Sequence, residues 1–535
     1  STEGGHNGGS AHLGENELKE QILPPFRKVV DAGLLSIMTS YNEIDGVPCT
    51  GNEYLLTDLL KDTWDFKGFV VSDLFSIDGM TGLGVASDLK DAGRIAINAG
   101  VESDLGGQAF QKLDELVEEG KVDQKRIDDA VRKLLTLKFQ WKLFDSPFRT
   151  AEEGLTQAEL DEHRALAREV ARQSIVLLKN ENQTLPLKKE IRSIAVIGPN
   201  ADTPYNQLGD YTAPQADGNV ITVLEGIRRA VSKETVVNYA KGCAIRDMSD
   251  KGFAEAKAAA EKSDAIVLVL GGSSARDFTA EFEATGAAKA SQNEMSDMES
   301  GEGNDRKTLG LMGRQNELLE LMRSTGKPLV VVLIKGRPLT VKNCDEAADA
   351  LIDAWYPGVE GGNAIADVLF GDYNPAGRLA VSVPESVGQV PVFYNHNRSQ
   401  NRSNYVEGTG QPLYPFGYGL SYTNFTYNAM TITPEAAAIK VKVELTNSGS
   451  YDGDEVIQIY VKDVVSSHAK PVMELKAFKR INLKAGETKE VELAIDKKEL
   501  ELYQGDGKWL LEPGDFVIMA GGSSKNLPLK ESITL

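Results

Sequence analysis

Three polar features of the sequence have the residue types to do chemistry. The first is Asp73, which ends the run Gly68-Phe69-Val70-Val71-Ser72. The second is Glu299-Ser300-Gly301-Glu302-Gly303-Asn304-Asp305-Arg306, inside a long stretch without periodicity. The third is the His/Gly-rich start, with His6 and His12. One carboxylate on a rigid strand tip and one on a loop of another domain would suit glycoside cleavage. That reaction needs a nucleophile and a proton donor, about 5–5.5 Å apart across the scissile bond when configuration is retained. The nucleophile should be ionised and firmly held, which a strand tip provides. The acid must keep its proton near neutral pH, which asks for a drier, more apolar setting. A glycine-rich loop folding over the substrate supplies it, because its backbone can come close. Plainer roles compete. Asp73 would also serve as a helix N-cap, Glu302 as a solvated loop carboxylate, and Asp305 with Arg306 as a bracing ion pair.

The elements that must position these groups follow from hydrophobic spacing. Over residues 1–145, helix and strand alternate: a helix from Glu15 to Asp31, a strand from Leu34 to Ser40, and a helix from Asn52 to Trp64. The strand 68–72 follows, then a helix from Ser87 to Ala99 with Ser87 or Asp88 as N-cap and Gly100 closing it. A short strand 101–104 and helices 108–119 and 123–141 complete the segment. Repeated βα units imply a parallel sheet, and polar residues at the strand tips suit a (β/α) barrel with its site at that face. Only three or four units are present, against eight in a whole barrel of about 250 residues. This segment therefore reads as the C-terminal portion of a barrel. A linker, 146–173, leads to an α/β sandwich domain over 174–390. Its strands IAVIG (194–198), 236–239, AIVLVL (265–270) and LVVVLI (329–334) are apolar on both faces, as in a mostly parallel sheet covered by helices. A Gly/Pro/Tyr-rich connector spans 391–430. From 431 to 535 the pattern alternates with period two, as in IKVKVELTN, and turns recur about every ten residues, which predicts a fibronectin III-like β-sandwich.

Bulk properties bound the partners. The chain has 535 residues and a net charge of −21. That argues against nucleic acid and anionic membrane, both of which need clustered cations. Cys49, Cys243 and Cys344 lie far apart, with no CxxC or Cys/His spacing for zinc. No apolar run approaches the ~18 residues of a membrane span. Gly271-Gly272 and Gly198 follow strands, but no GxGxxG follows them, which leaves dinucleotide binding unsupported.

Taken in order, EGGHNGG (3–9), SYNEIDGVPCT (40–50), GFVVSD (68–73), SIVLLKNENQTLPL (174–187), SGEGNDR (300–306), AWYPGVEGGNAIADVLFGDYNPAGRL (354–379) and PLYPFGYGLSYTNF (412–425) resemble the signatures of glycoside hydrolase family three, the β-glucosidase and β-xylosidase group. The resemblance runs over nearly the whole chain. It implies that Asp73 is the nucleophile and Glu302 the acid/base, with Glu299 as the alternative in that loop. It implies that Tyr41 packs beside the nucleophile and that His6 lies near a basic position contacting sugar hydroxyls. Leu74 departs from the family, where an aromatic often follows the nucleophile. No metal or organic cofactor is implied. A periplasmic or secreted location is favoured, and a carbohydrate is the expected small-molecule partner.

The implied activity is that of a retaining exo-β-glycosidase releasing terminal β-D-glucosyl residues by double displacement. A β-xylosidase or α-L-arabinofuranosidase is the rival within the class, and a non-catalytic carbohydrate-binding fragment the rival outside it. Phosphorolysis would favour a His acid/base, and the 273–308 loop contains none. The barrel portion that family members carry before the EGG stretch, with a Lys-His pair and an Asp and Arg for sugar hydroxyls, has no counterpart in this sequence. On this reading the chain by itself is catalytically weak, and a second chain supplying that half, or a homodimer, are the protein partners left open.

Overall fold

The computed structural model describes residues 2–6, 8–146, 155–275, 297–301, 306–398, 405–505 and 507–535. Its chain divides into two compact units, one made chiefly of Ser1–Leu155 with Leu502–Leu510, the other of most of the remainder.

In the first unit, strands Ser36–Met38 and Phe69–Val71 pair in parallel, Ile37 opposite Val70. Val71 bridges Ser103, also in parallel. This is the βα order expected of a barrel portion, with shorter strands than the apolar runs suggest. The segment 101–104 makes only that single bridge instead of a regular strand. Gly68 is required where it stands: a Cβ there would lie 2.2 Å from the Leu35 carbonyl oxygen. Helix Leu89–Ala99 opens on Asp88, whose carboxylate accepts the Asp91 amide at 2.8 Å, and closes at Gly100, φ 123°. Its Ala92, Ala96 and Ala99 pack with Leu56, Leu60, Val70 and Val101 in the unit's core. The helix expected over Glu15 to Asp31 is interrupted. It runs as Glu15–Glu17 and a wide turn Leu18–Ile22, then restarts at Pro24–Asp31. Pro24 and Pro25 lack the amide hydrogens a continuous helix needs, so they fit only its first turn.

In the second unit, six strands lie in the order Val176–Asn180, Ala350–Trp355, Leu329–Ile334, Ala265–Gly271, Ser193–Ile197, Val236–Ala240. All neighbours are parallel except Val176–Asn180, which runs antiparallel to Ala350–Trp355 at the edge. Those last two strands are additions to the four that continuous apolarity marks. The carboxylate of Asp353 interrupts one, and the other ends in Lys179-Asn180. Of the expected linker, Gln157–Ser174 is a helix with a full capping box at Thr156 and Glu159. It packs on Gly361–Leu369, where Arg168 Nε donates to Asp367 at 2.8 Å. Cys49, Cys243 and Cys344 are unpaired.

The C-terminal sandwich has one sheet of Phe425–Pro434, Ala438–Asn447 and Thr488–Asp496. Its facing sheet holds Glu474–Leu483, Gly453–Asp463, Asp515–Gly521 and Leu529–Thr534. Ile439, Val441, Val443 and Leu445 are buried, as the alternation predicts. The first strand begins at Phe425, inside the expected connector, because its alternation is diluted by Thr and Asn. Tyr418 and Tyr422 in that connector pack inward, donating to the Leu178 and Val368 carbonyls at 3.2 and 2.6 Å. Among the described residues no helix is long and apolar enough to cross a membrane.

Gly68→Ala should lower the unfolding free energy by about 1–3 kcal/mol, the usual cost of overpacking a tight site. Denaturant titration would read it.

Candidate active site

Asp73 follows strand Phe69–Val71 by two residues and is half-buried. Its neighbours hold it from three sides. Ser72 is fully buried; its amide donates to the Ser103 carbonyl and its hydroxyl accepts the Leu105 amide, both at 2.8 Å. The Leu74 amide donates to Asp73 Oδ1 at 2.7 Å. The Ser76 amide donates to the Asp73 carbonyl at 3.0 Å. Phe75 takes φ +59°, a conformation non-glycine residues hold only when surroundings enforce it. Its amide is fixed on the Leu105 carbonyl at 3.0 Å. A backbone turn this constrained presents Oδ1 to the Leu74 amide.

Tyr41 stands beside this turn. Its hydroxyl donates to the Leu74 carbonyl at 2.8 Å. His6 lies in an exposed loop whose shape is fixed by its own backbone: Gly9 and Thr2 donate to the His6 carbonyl at 3.2 and 2.8 Å. Ala11 bridges Ile44, and Asn42 donates its amide to the Gly9 carbonyl, which ties the His6 loop to the segment carrying Tyr41. Asp73, Tyr41 and His6 therefore belong to one unit.

His12 closes the same loop. Hydrogen bonds with Glu3 at 3.0 Å and then Asp45 hold its imidazolium above the ordinary value of 6.5. Asp104 sits two residues beyond Glu102 on the adjacent segment. Burial, then the nearby Asp78 carboxylate, raises its carboxyl above the ordinary range, against a bond from the Phe110 amide.

In the second unit, Glu299 is not a surface carboxylate. Its side chain is 1% exposed and pairs with Arg306, itself 3% exposed. Ser300 donates to it at 3.0 Å, and its amide is pinned on the Ser273 carbonyl at 2.9 Å. These contacts occupy both carboxylate oxygens of Glu299 with protein groups. Glu299, expected among the substrate contacts, has its carboxylate on Arg306 and Ser300 in this structure. Arg306 makes its ion pair with Glu299 and donates to the Gly310 carbonyl. The expected Arg306 partner, Asp305, and the expected acid/base, Glu302, lie outside the described residues. Among the described residues no group of three or more His, Cys, Asp or Glu is placed to hold a metal. Sequence reasoning missed the buried hydroxyls of Thr39, Thr50 and Ser76 behind Asp73. Their signal is faint, since Ser and Thr are ordinary anywhere.

A short parallel βα segment with a carboxylate just past a strand tip, an α/β sandwich and a fibronectin-like sandwich form a multidomain chain with a candidate site at that strand tip. Residues 1–137 match the glycosyl hydrolase family 3 N terminal domain, 175–422 its C-terminal domain, and 455–524 a fibronectin type III-like domain. The chain is 38% identical to the periplasmic beta-glucosidase of Salmonella typhimurium, over 98% of this chain and 70% of that one. It is also 38% identical to a beta-xylosidase of Formosa agariphila, over 98% of this chain and 73% of that one. The crystal structure of the Listeria innocua beta-glucosidase with isofagomine superposes with a TM-score of 0.89 at 31% identity, covering 100% of this chain and 73% of that one. The same enzyme in complex with glucose gives 0.88 at 31%, covering 100% and 72%. The chain thus spans about seven tenths of the length of these relatives. It belongs to glycosyl hydrolase family 3 and is a glycoside hydrolase.

Two outcomes test the site's supports. Arg306→Ala strands a buried carboxylate and should cost about 3–5 kcal/mol of stability in denaturant titration. The His12 contact contributes fully below 6.5, the ordinary value, and fades as pH rises through the raised folded value. In an NMR titration, Glu3→Gln should bring His12 back toward 6.5.

Proposed function

We propose that the protein is a retaining, exo-acting β-glucosidase that uses Asp73 as nucleophile and Glu302 as acid/base. The observation that carries the reading is the seating of Asp73. Its Oδ1 is held by the Leu74 amide on an enforced turn, with Tyr41 bracing the same turn. In the first step Glu302 gives its proton to the glycosidic oxygen. An Asp73 oxygen bonds to the anomeric carbon as the bond to the leaving group breaks. In the second, Glu302 takes a proton from water, whose oxygen attacks the same carbon and frees Asp73. Two inversions retain configuration. A fixed backbone limits the reorientation needed for attack. The His6 loop, tied to the Tyr41 segment, would contact sugar hydroxyls on this reading.

The Salmonella relative's name supports glucose and a periplasmic location; the Formosa relative, at the same identity, supports a β-xylosidase reading. The difference between the two sugars is one hydroxymethyl group. A pocket discriminates such a group by only about 10–200-fold, so both activities on one enzyme would be no contradiction.

Incubation with 2-deoxy-2-fluoro-β-D-glucosyl fluoride and its xylosyl analogue tests both points. The expected result is one sugar mass on the peptide containing Asp73, faster with the glucosyl reagent. Labelling on another carboxylate would overturn the nucleophile, and faster xylosyl labelling would reassign the sugar. Asp73→Asn should lower kcat by about 10^4-fold or more, the scale of losing an activated nucleophile.

A further inference from the structure

Behind Asp73 lies a group of buried hydroxyls that no part of the double displacement uses. Thr39, Thr50 and Ser76 are 5%, 2% and 6% exposed. Thr39 Oγ1 lies 2.9 Å from Thr50 Oγ1 and 3.4 Å from Ser76 Oγ. Thr50 Oγ1 is 3.1 Å from Ser76 Oγ and 3.3 Å from the Ser40 carbonyl. Three separate segments meet here: the end of the strand Ser36–Met38, the start of the helical turn Cys49–Gly51, and the turn after Asp73. Three hydroxyls that could each have been a methyl in an apolar core are a costly choice unless their polarity is used. Each carries one hydrogen and accepts others, so the triangle is satisfied only when all three are in place.

The triangle touches Asp73 through the backbone on both sides. The Asp73 amide points to Thr39 Oγ1 at 3.4 Å. The Asp73 carbonyl accepts the Ser76 amide at 3.0 Å, and Ser76 is itself a corner of the triangle. The strand tip and the following turn are thereby locked to each other and to the 40–50 segment. None of the three side chains contacts the Asp73 carboxylate in a hydrogen bond, so their action on it passes through the main chain.

From this geometry we infer that Thr39, Thr50 and Ser76 are positioning residues that set the Asp73 carboxylate for attack on the anomeric carbon. The inference rests on the reading of Asp73 as nucleophile. Removing a hydroxyl loosens the aim of the carboxylate without altering the surface that meets the sugar. Its signature is a slower covalent step with unchanged binding, because a displacement of the order of 1 Å costs about 10^2-fold in rate.

The time course of labelling by 2-deoxy-2-fluoro-β-D-glucosyl fluoride separates the two constants. Thr39→Val keeps the shape and deletes the hydroxyl. It should lower the first-order inactivation constant by about 10–100-fold, with the half-saturation concentration unchanged. Thr39→Ser returns the hydroxyl and should restore most of the rate. Thr50→Val and Ser76→Ala should act in the same direction. Their combinations with Thr39→Val should cost less than the product of the single effects, as expected for members of one network. Thermal melting of each variant confirms that it is folded, and Ser76→Ala, the smallest change, serves if Thr39→Val is not. Labelling of Thr39→Val at the wild-type rate would overturn the inference while leaving Asp73 as nucleophile. So would a Thr39→Ser no faster than Thr39→Val, since returning the hydroxyl would then return no rate. Wild-type labelling at a different residue, or none, would overturn the nucleophile assignment and this inference together.

Discussion

The parallel pairing of Ser36–Met38 with Phe69–Val71 is the constraint on which the rest of the candidate site depends. Each residue of slip would turn every side chain to the opposite face. Gly68 and Leu35 set that register at its start, by an approach too close for any side chain. The hydroxyl triangle and the Ser72 contacts fix it at its end, where Asp73 emerges. Between those two points are only three residues of ladder. The sheet is too short to be held by its own hydrogen bonds, so the packing of Ala92, Ala96 and Val101 behind Val70 completes the restraint. A carboxylate that is to act as nucleophile, as proposed for Asp73, needs this rigidity, because catalysis by position fails once the reacting oxygen wanders.

Fold class was the most legible property of the sequence. Continuous apolar strands and a sharp change to period-two alternation each report burial directly. What stayed hidden has particular causes. Ala350–Trp355 carries Asp353, a charge that breaks an apolar run in sequence but is cancelled in the fold by Lys335 at 2.5 Å. Phe425–Pro434 is an outer strand with polar residues on most of its exposed positions, so it reads as connector. The kink at Pro24 was visible in the sequence, yet apolar spacing continues through it and masks the break. Asp73 and Tyr41 were singled out as site residues only through the resemblance of GFVVSD and SYNEIDGVPCT to family signatures. The hydroxyl triangle was not, since it joins residues 39, 50 and 76 that no period or spacing connects.

Glu299 shows how a residue of the same chemistry as its neighbour can take up protein partners instead. Both glutamates of the 299–302 stretch have the right chemistry on paper. For Glu299 the structure shows an enclosed carboxylate paired with a guanidinium, an arrangement that is costly to break by removing either partner. Arg306 is the natural counter-ion, because its planar fork can bond Glu299 and the Gly310 carbonyl at once, as an ammonium would do less well.

The second buried pair extends this argument to the sheet. Lys335 and Asp353 are almost wholly buried at the same end of adjacent strands, with the Lys335 ammonium 4.0 Å from the Trp355 ring centre. Asp353 also accepts the Trp355 amide at 3.2 Å, where the chain turns through φ +52°. Two apolar residues of the same volume would serve stability as well or better, because desolvating both charges offsets most of their attraction. What apolar residues would not supply is direction. The carboxylate names one amide and one ammonium as partners, and the ring lies where the cation can meet its face. Buried ions at Glu299–Arg306 and Lys335–Asp353 are thus best understood as fixing where the sheet's C-terminal segments go, and the apolar core as fixing that they stay folded.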